Sequence, residues 1–189
     1  MSDPLTDFVA ACRVEIERVP DTADRVAAIA PLMAELAAMA APHLGSTHRR
    51  SDPAHCASNA IHIDPSGDLS LFTVVWLPGQ WTPVHDHGSW GVMGIVEGAL
   101  EEHALMSAHG DITAEEGIVL RRGGIMLLNP GSVSSFVPNP DHIHKTGVPR
   151  GRAPCLSLHL YGRNMDSFHI YDVAAGTRRL IDVQHQAVH

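Results

Sequence analysis

From Leu5 to Val19 the apolar residues Phe8, Cys12, Ile16 and Val19 recur at helical spacing, and Asp3 with Pro4 supplies a cap and a first turn. The pattern predicts an amphipathic helix. After Pro20 and Asp21 the series Val26, Ile29, Met33, Leu36 and Met39 predicts a second one, which Pro31 should kink or restart. This alanine-rich segment closes near Pro42, and LGSTHRRSDPA, between His43 and His55, reads as a loop. Beyond it the period changes. Residues 57 to 181 hold short Val-, Ile- and Leu-rich runs punctuated by PSGD, PGQ, EG, HGD, GG, NPGS, PNPD and GVPRG, the spacing of an antiparallel barrel or sandwich. The expectation is a mainly β protein of one domain, residues 1–189, with helices over 1–45 packed outside a small closed β-barrel over 55–183.

Composition narrows the partners more than the fold. A chain of 189 residues can bury a core without disulfides or a structural metal. No apolar run approaches the roughly 18 residues a membrane span needs, so no membrane role is expected. The start MSDPLTDFV carries acids where an export signal would carry Lys or Arg, which makes the cytoplasm the expected location. A net charge of −8 opposes phosphate backbones, so nucleic acid is not an expected partner. Three widely spaced cysteines, Cys12, Cys56 and Cys155, suit neither a disulfide framework nor a thiolate zinc cluster. Small molecules remain.

The chemistry begins at PVHDHGSW, residues 83–90. In an extended chain His85 and His87, two residues apart, leave the same face about 7 Å apart at the backbone, while Asp86 points the other way. Neutral imidazole is the commonest protein ligand for divalent transition metals, and two imidazoles do not fill a coordination sphere. An HxH pair alone is often just polar surface. Here His142 and His144 follow downstream, with the same strand parity, and either could complete the set. Further on, CLSLHLYG alternates Ser157, His159 and Tyr161 with Leu156, Leu158 and Leu160, so the three polar groups share one strand face.

Gly79, then five residues, His85, Asp86, His87, three residues, Gly91, six residues and Gly98 resembles the first motif of the cupin superfamily, with Gly91 where most cupins place a glutamate ligand. Gly124, five residues on to Pro130, resembles the opening of the second motif, with its histidine arriving late. A cupin with three histidines and no carboxylate ligand resembles the thiol dioxygenases, the group of cysteine dioxygenase and bacterial 3-mercaptopropionate dioxygenase; VVWLPGQWTPVHDHGSWGVMGIVEG is similar to the bacterial members almost throughout. The resemblance implies a double-stranded β-helix, jelly-roll-like. It implies Fe(II) held by His85, His87 and His144, the last chosen because the family's third ligand stands in an IHK context. It also implies a relay in which Ser157 holds His159 and His159 holds the Tyr161 hydroxyl beside the metal.

The activity implied is oxidation of a small thiol to its sulfinate with O2, by a monomer or homodimer. Family members bind the substrate carboxylate with an arginine; here Arg163 is the nearest candidate, Arg178 and Arg179 are distant, and the early strand CASNAIHI has none. Two other readings compete: a three-histidine dioxygenase cleaving a diketone or an aromatic substrate, and a metal-binding cupin without turnover. The thiol dioxygenase reading requires that Asp86 and Glu97 stay off the metal.

Overall fold

The computed structural model describes residues 3–138 and 142–183. Two helices, α1 (Pro4–Arg18) and α2 (Thr22–Met39), lead through short 3-10 turns at Ala41–His43 and Ser46–Arg49 into eleven strands. These are β1 (Ala57–Ile63), β2 (Ser70–Trp76), β3 (Val84–His85), β4 (Gly91–Glu97), β5 (Leu100–His109), β6 (Val119–Leu128), β7 (Val133–Phe136), β8 (Ile143–Gly147), β9 (Cys155–Tyr161), β10 (Ser167–Asp172) and β11 (Thr177–Asp182). Among the described residues no helix is long and apolar enough to cross a membrane, which says nothing of strands.

The strands form two antiparallel sheets, in the orders β1-β2-β9-β4-β7 and β11-β10-β3-β8-β5-β6. From β6 to β10 each successive strand changes sheet, which is the winding of a jelly roll. The mainly β, double-stranded β-helix architecture with helices outside is thus as the sequence implies.

Strand alternation decides what each face of β9 does. Leu156, Leu158 and Leu160 are buried on the outer face, in one core with Phe8, Cys12, Ile29 and Met33 of the helical hairpin. Ser157, His159 and Tyr161 face inward, paired with Val74, Phe72 and Ser70 of β2. The helices cap the barrel wall so that its inner side is free for chemistry.

Local signals explain most element ends. The Asp3 carboxylate accepts from the Leu5 and Thr6 backbone amides, and Asp21 does the same for Asp24, each capping its helix. At Gly98 the backbone has φ +72°, and a Cβ would lie 2.1 Å from the Pro154 carbonyl oxygen. Only glycine makes that turn between β4 and β5.

Two expectations change. Of the two outcomes expected at Pro31, a kink or a restart, the restart does not occur, because helix α2 runs through it. Proline in a helix interior costs about 3 kcal/mol. The continuous buried face of Val26, Ile29, Met33 and Leu36 outweighs it, at roughly 1.5–3 kcal/mol for each large side chain. Gly123 and Gly124 are not a turn. They lie inside β6 where its register with β5 slips between His103 and Leu105, so the pair accommodates a bulge. The PNPD turn lies partly outside the described residues.

Because Ile29 is wholly buried between hairpin and barrel wall, Ile29→Ala should destabilise the protein by about 2–5 kcal/mol. Urea or thermal unfolding will read this as a midpoint shift, while metal bound per folded molecule should be unchanged.

Candidate metal centre

His85 ends β3 and His144 lies on β8, and the two are direct cross-strand partners. His87 does not continue the strand. The chain leaves β3 at His85 because Asp86 is tied to β10: its amide donates to the His169 carbonyl, and its carboxylate accepts from the His169 amide at 3.0 Å and the Tyr171 hydroxyl at 2.8 Å. Asp86 therefore points away, as alternation predicts, though the reason is an anchor rather than an extended strand. The anchored turn still brings His87 back: ring centroids are 4.9 Å apart for His85 and His87, 4.6 Å for His85 and His144, and 4.9 Å for His87 and His144. A ring nitrogen from each lies within 4.8 Å of the others, and all three residues are buried.

These donors suit a divalent transition metal. Burial, reinforced by neighbouring histidines, lowers the pKa values of His85 and His87 well below the usual value, so both rings are neutral with lone pairs available. His85 Nδ1 lies 3.1 Å from the Pro83 carbonyl, which makes it the protonated nitrogen. His144 Nδ1 lies 3.0 Å from Glu102 Oε1, so its proton sits there too, and its Nε2 is buried without a partner. An unpartnered buried imidazole nitrogen beside two others is what a metal would satisfy.

Two residues of this surround were not legible in the sequence. Glu102 is fully buried, and its Oε1 receives both His144 Nδ1 and His142 Nε2, the latter at 2.7 Å. Burial alone would raise the carboxyl, but those two hydrogen bonds hold it well below the ordinary range, so it is a carboxylate. His142 is thereby committed to Glu102 and is not grouped with His85 and His87, although Glu102, His142 and His144 are close enough to form a second cluster. Phe136 is the other. Its ring stacks on His87 at 4.3 Å and on His142 at 5.1 Å. A Cβ on Gly91 would lie 2.3 Å from Phe136 Cζ, so a glutamate there would have to displace the Phe136 ring. Glu97 pairs with Arg49 and is not among the residues that line the cavity.

From the facing sheet comes the relay. Trp76 Nε1 donates to Ser157 Oγ at 2.9 Å, Ser157 Oγ lies 2.8 Å from His159 Nε2, and His159 Nδ1 lies 3.1 Å from the Tyr161 hydroxyl. Indole can only donate, which occupies one serine lone pair. Burial, with His144 close by, lowers the His159 pKa to about 3, so this ring carries one proton. Ser157 Oγ also lies 3.4 Å from the Val74 carbonyl, a longer contact than the 2.8 Å one to Nε2; where the serine hydrogen follows the shorter bond, the ring proton sits on Nδ1 and is given to the Tyr161 oxygen. The phenol hydrogen is then left to point into the cavity. Burial raises the Tyr161 pKa, so the phenol keeps that hydrogen at neutral pH.

Histidines and relay share a cavity of about 530 Å³ between the sheets, with Trp76 and Trp81 among its walls. Arg163 is not part of it. Its guanidinium donates to the Ser167 carbonyl and hydroxyl and pairs with Asp166, because the chain turns outward after β9 and those acceptors lie in the same turn. Arg178 is likewise drawn off, to the Thr113 carbonyl. The expectation that Arg163 binds a substrate carboxylate has no support in this geometry.

No family model matches the chain. Among solved structures it is similar to an uncharacterized conserved protein with a double-stranded β-helix domain from Klebsiella pneumoniae, at 13% identity over 66% of this chain and 91% of the other, with a TM-score of 0.46. A cupin-like protein from Thermotoga maritima shows 15% identity over 74% and 88%, TM-score 0.42. An oxalate oxidase shows 16% identity over 64% of this chain and 56% of its own, TM-score 0.43. All three lie below the similarity at which a shared site would follow.

Proposed function

We propose that the protein is an Fe(II)-dependent thiol dioxygenase, converting a small thiol and O2 to a sulfinate. The observation that supports it best is one cavity holding three converging neutral imidazoles, with no carboxylate among them, and facing them the phenol of a Trp76–Ser157–His159–Tyr161 chain. His85, His87 and His144 would hold the metal. Such an ion, when bound, would lower the pKa of a substrate thiol and pass electrons from its sulfur to O2, the sulfur losing four electrons and taking up both oxygen atoms.

The protein's own residues do the rest. Glu102 fixes the His144 ring and tautomer, so that its Nε2 faces the centre. Phe136 covers His87 and fills the space where a carboxylate ligand would otherwise enter. Tyr161 presents a proton donor oriented by His159, suited to hydrogen bonding an oxygen or sulfur that gains charge during reaction. The relay face favours this reading over ring or diketone cleavage, and over a carrier without turnover.

Three measurements test it. Replacing His85, His87 or His144 by Ala should each abolish Fe(II) binding, whereas His142→Ala should retain most of it; iron loss confined to His142→Ala would overturn the ligand assignment. Glu102→Gln should weaken Fe(II) affinity by about 10–100-fold in a competitive chelator titration, with the fold preserved by circular dichroism. Tyr161→Phe should keep its iron yet slow thiol-dependent oxygen uptake by about 10²-fold, or uncouple uptake from sulfinate formation; unchanged kinetics would remove tyrosine from the reaction.

A further inference from the structure

We infer that the site takes a thiol whose body is uncharged and apolar, of arylalkyl size, rather than an amino acid or a mercapto acid. The inference rests on the thiol dioxygenase reading and concerns the part of the substrate beyond sulfur. A carboxylate leaving water needs a cation or several convergent donors, because burying it unpaired costs far more than its other contacts return. Beyond an ion held by the histidines, which the thiol and O2 would occupy, this cavity offers no cation, and its hydroxyls, on Ser58, Thr82, Thr146 and Tyr161, come from four separate segments. Most of its lining is apolar, with Val74, Trp76, Met93, Phe136, Met165 and Phe168 among it, and among the described residues no lysine or arginine lines it. The charged side chain that does is Asp182, which repels an anion. Arg163 and Arg178, the cations that might have reached in, are engaged with Ser167 and Asp166 and with Thr113.

Size and shape agree. At about 530 Å³ the cavity lies in the roughly 300–1,000 Å³ range that suits drug-sized ligands. A cysteine-sized molecule would leave much of the apolar wall without partner atoms, forfeiting dispersion contacts. Two phenyl rings border the histidines, Phe136 at 4.3 Å from the His87 ring and Phe168 at 5.2 Å from that of His85. An aromatic ring extending from sulfur held at the histidines would meet these edges and faces in the offset geometries such rings prefer.

The test compares 2-phenylethanethiol, its non-thiol counterpart 2-phenylethanol, 3-mercaptopropionate and cysteine on the Fe(II) protein. Binding is followed under nitrogen by the fluorescence of Trp76 and Trp81, which line the cavity; O2 is then admitted, and uptake and sulfinate are measured. Expected is binding of 2-phenylethanethiol at least about tenfold tighter than 3-mercaptopropionate, measurable binding of 2-phenylethanol, and a kcat/KM advantage of the same order. Equal or tighter binding of 3-mercaptopropionate or cysteine overturns the inference, as does failure of both phenyl compounds to bind. Oxygen uptake confined to the acids would sink it while leaving thiol oxidation standing. Tight binding of both phenyl compounds without uptake for any thiol would support the cavity preference and remove the oxidation.

Discussion

Everything in this molecule turns on keeping three imidazoles neutral, buried and convergent. A buried neutral imidazole has one nitrogen that donates and one that accepts, so an acceptor behind a ring fixes which nitrogen faces inward. The Pro83 carbonyl does this for His85 and the Glu102 carboxylate for His144. Direct pairing of His85 with His144 across β3 and β8 sets their spacing, and the Asp86 anchor to β10 sets the return of His87. Remove any of these supports and the rings lose either tautomer or direction.

The two sheets divide the labour. One carries the imidazoles on its strands and the loop after β3; the other carries the Ser157–His159–Tyr161 row on β9. The same strand that turns this row inward turns three leucines outward onto the helical hairpin. Stability and chemistry therefore share a backbone without sharing a face. A donor-only indole occupies one lone pair of the serine at one end of this row, and the Tyr161 phenol stands at the other end, in the cavity wall.

The cavity itself has two unlike parts. The histidines and the phenol gather at one place, and the rest of the wall is mostly hydrocarbon and aromatic ring, interrupted by Ser58, Thr82, Thr146 and Asp182. Such a partition favours recognition by shape and apolar area, with only the reacting atom addressed by specific polar groups.

Much of this was written in the chain. The helical and strand periods, the inward row of Ser157, His159 and Tyr161, the grouping of His85 with His87 and the outward turn of Asp86 all follow from spacing, because side-chain direction in a regular element depends only on position. The glycine at position 91 announced the missing carboxylate. What spacing could not show is which distant groups meet. That Glu102 would claim His142 and orient His144, that Phe136 would cover Gly91, and that Trp76 would begin the relay depend on β5, β7 and β2 being brought beside β8, β4 and β9. Arg163 shows the limit most clearly: its place beside Tyr161 in sequence suggested the cavity, but a guanidinium goes to the nearest acceptors, and folding put those in the turn after β9 rather than between the sheets.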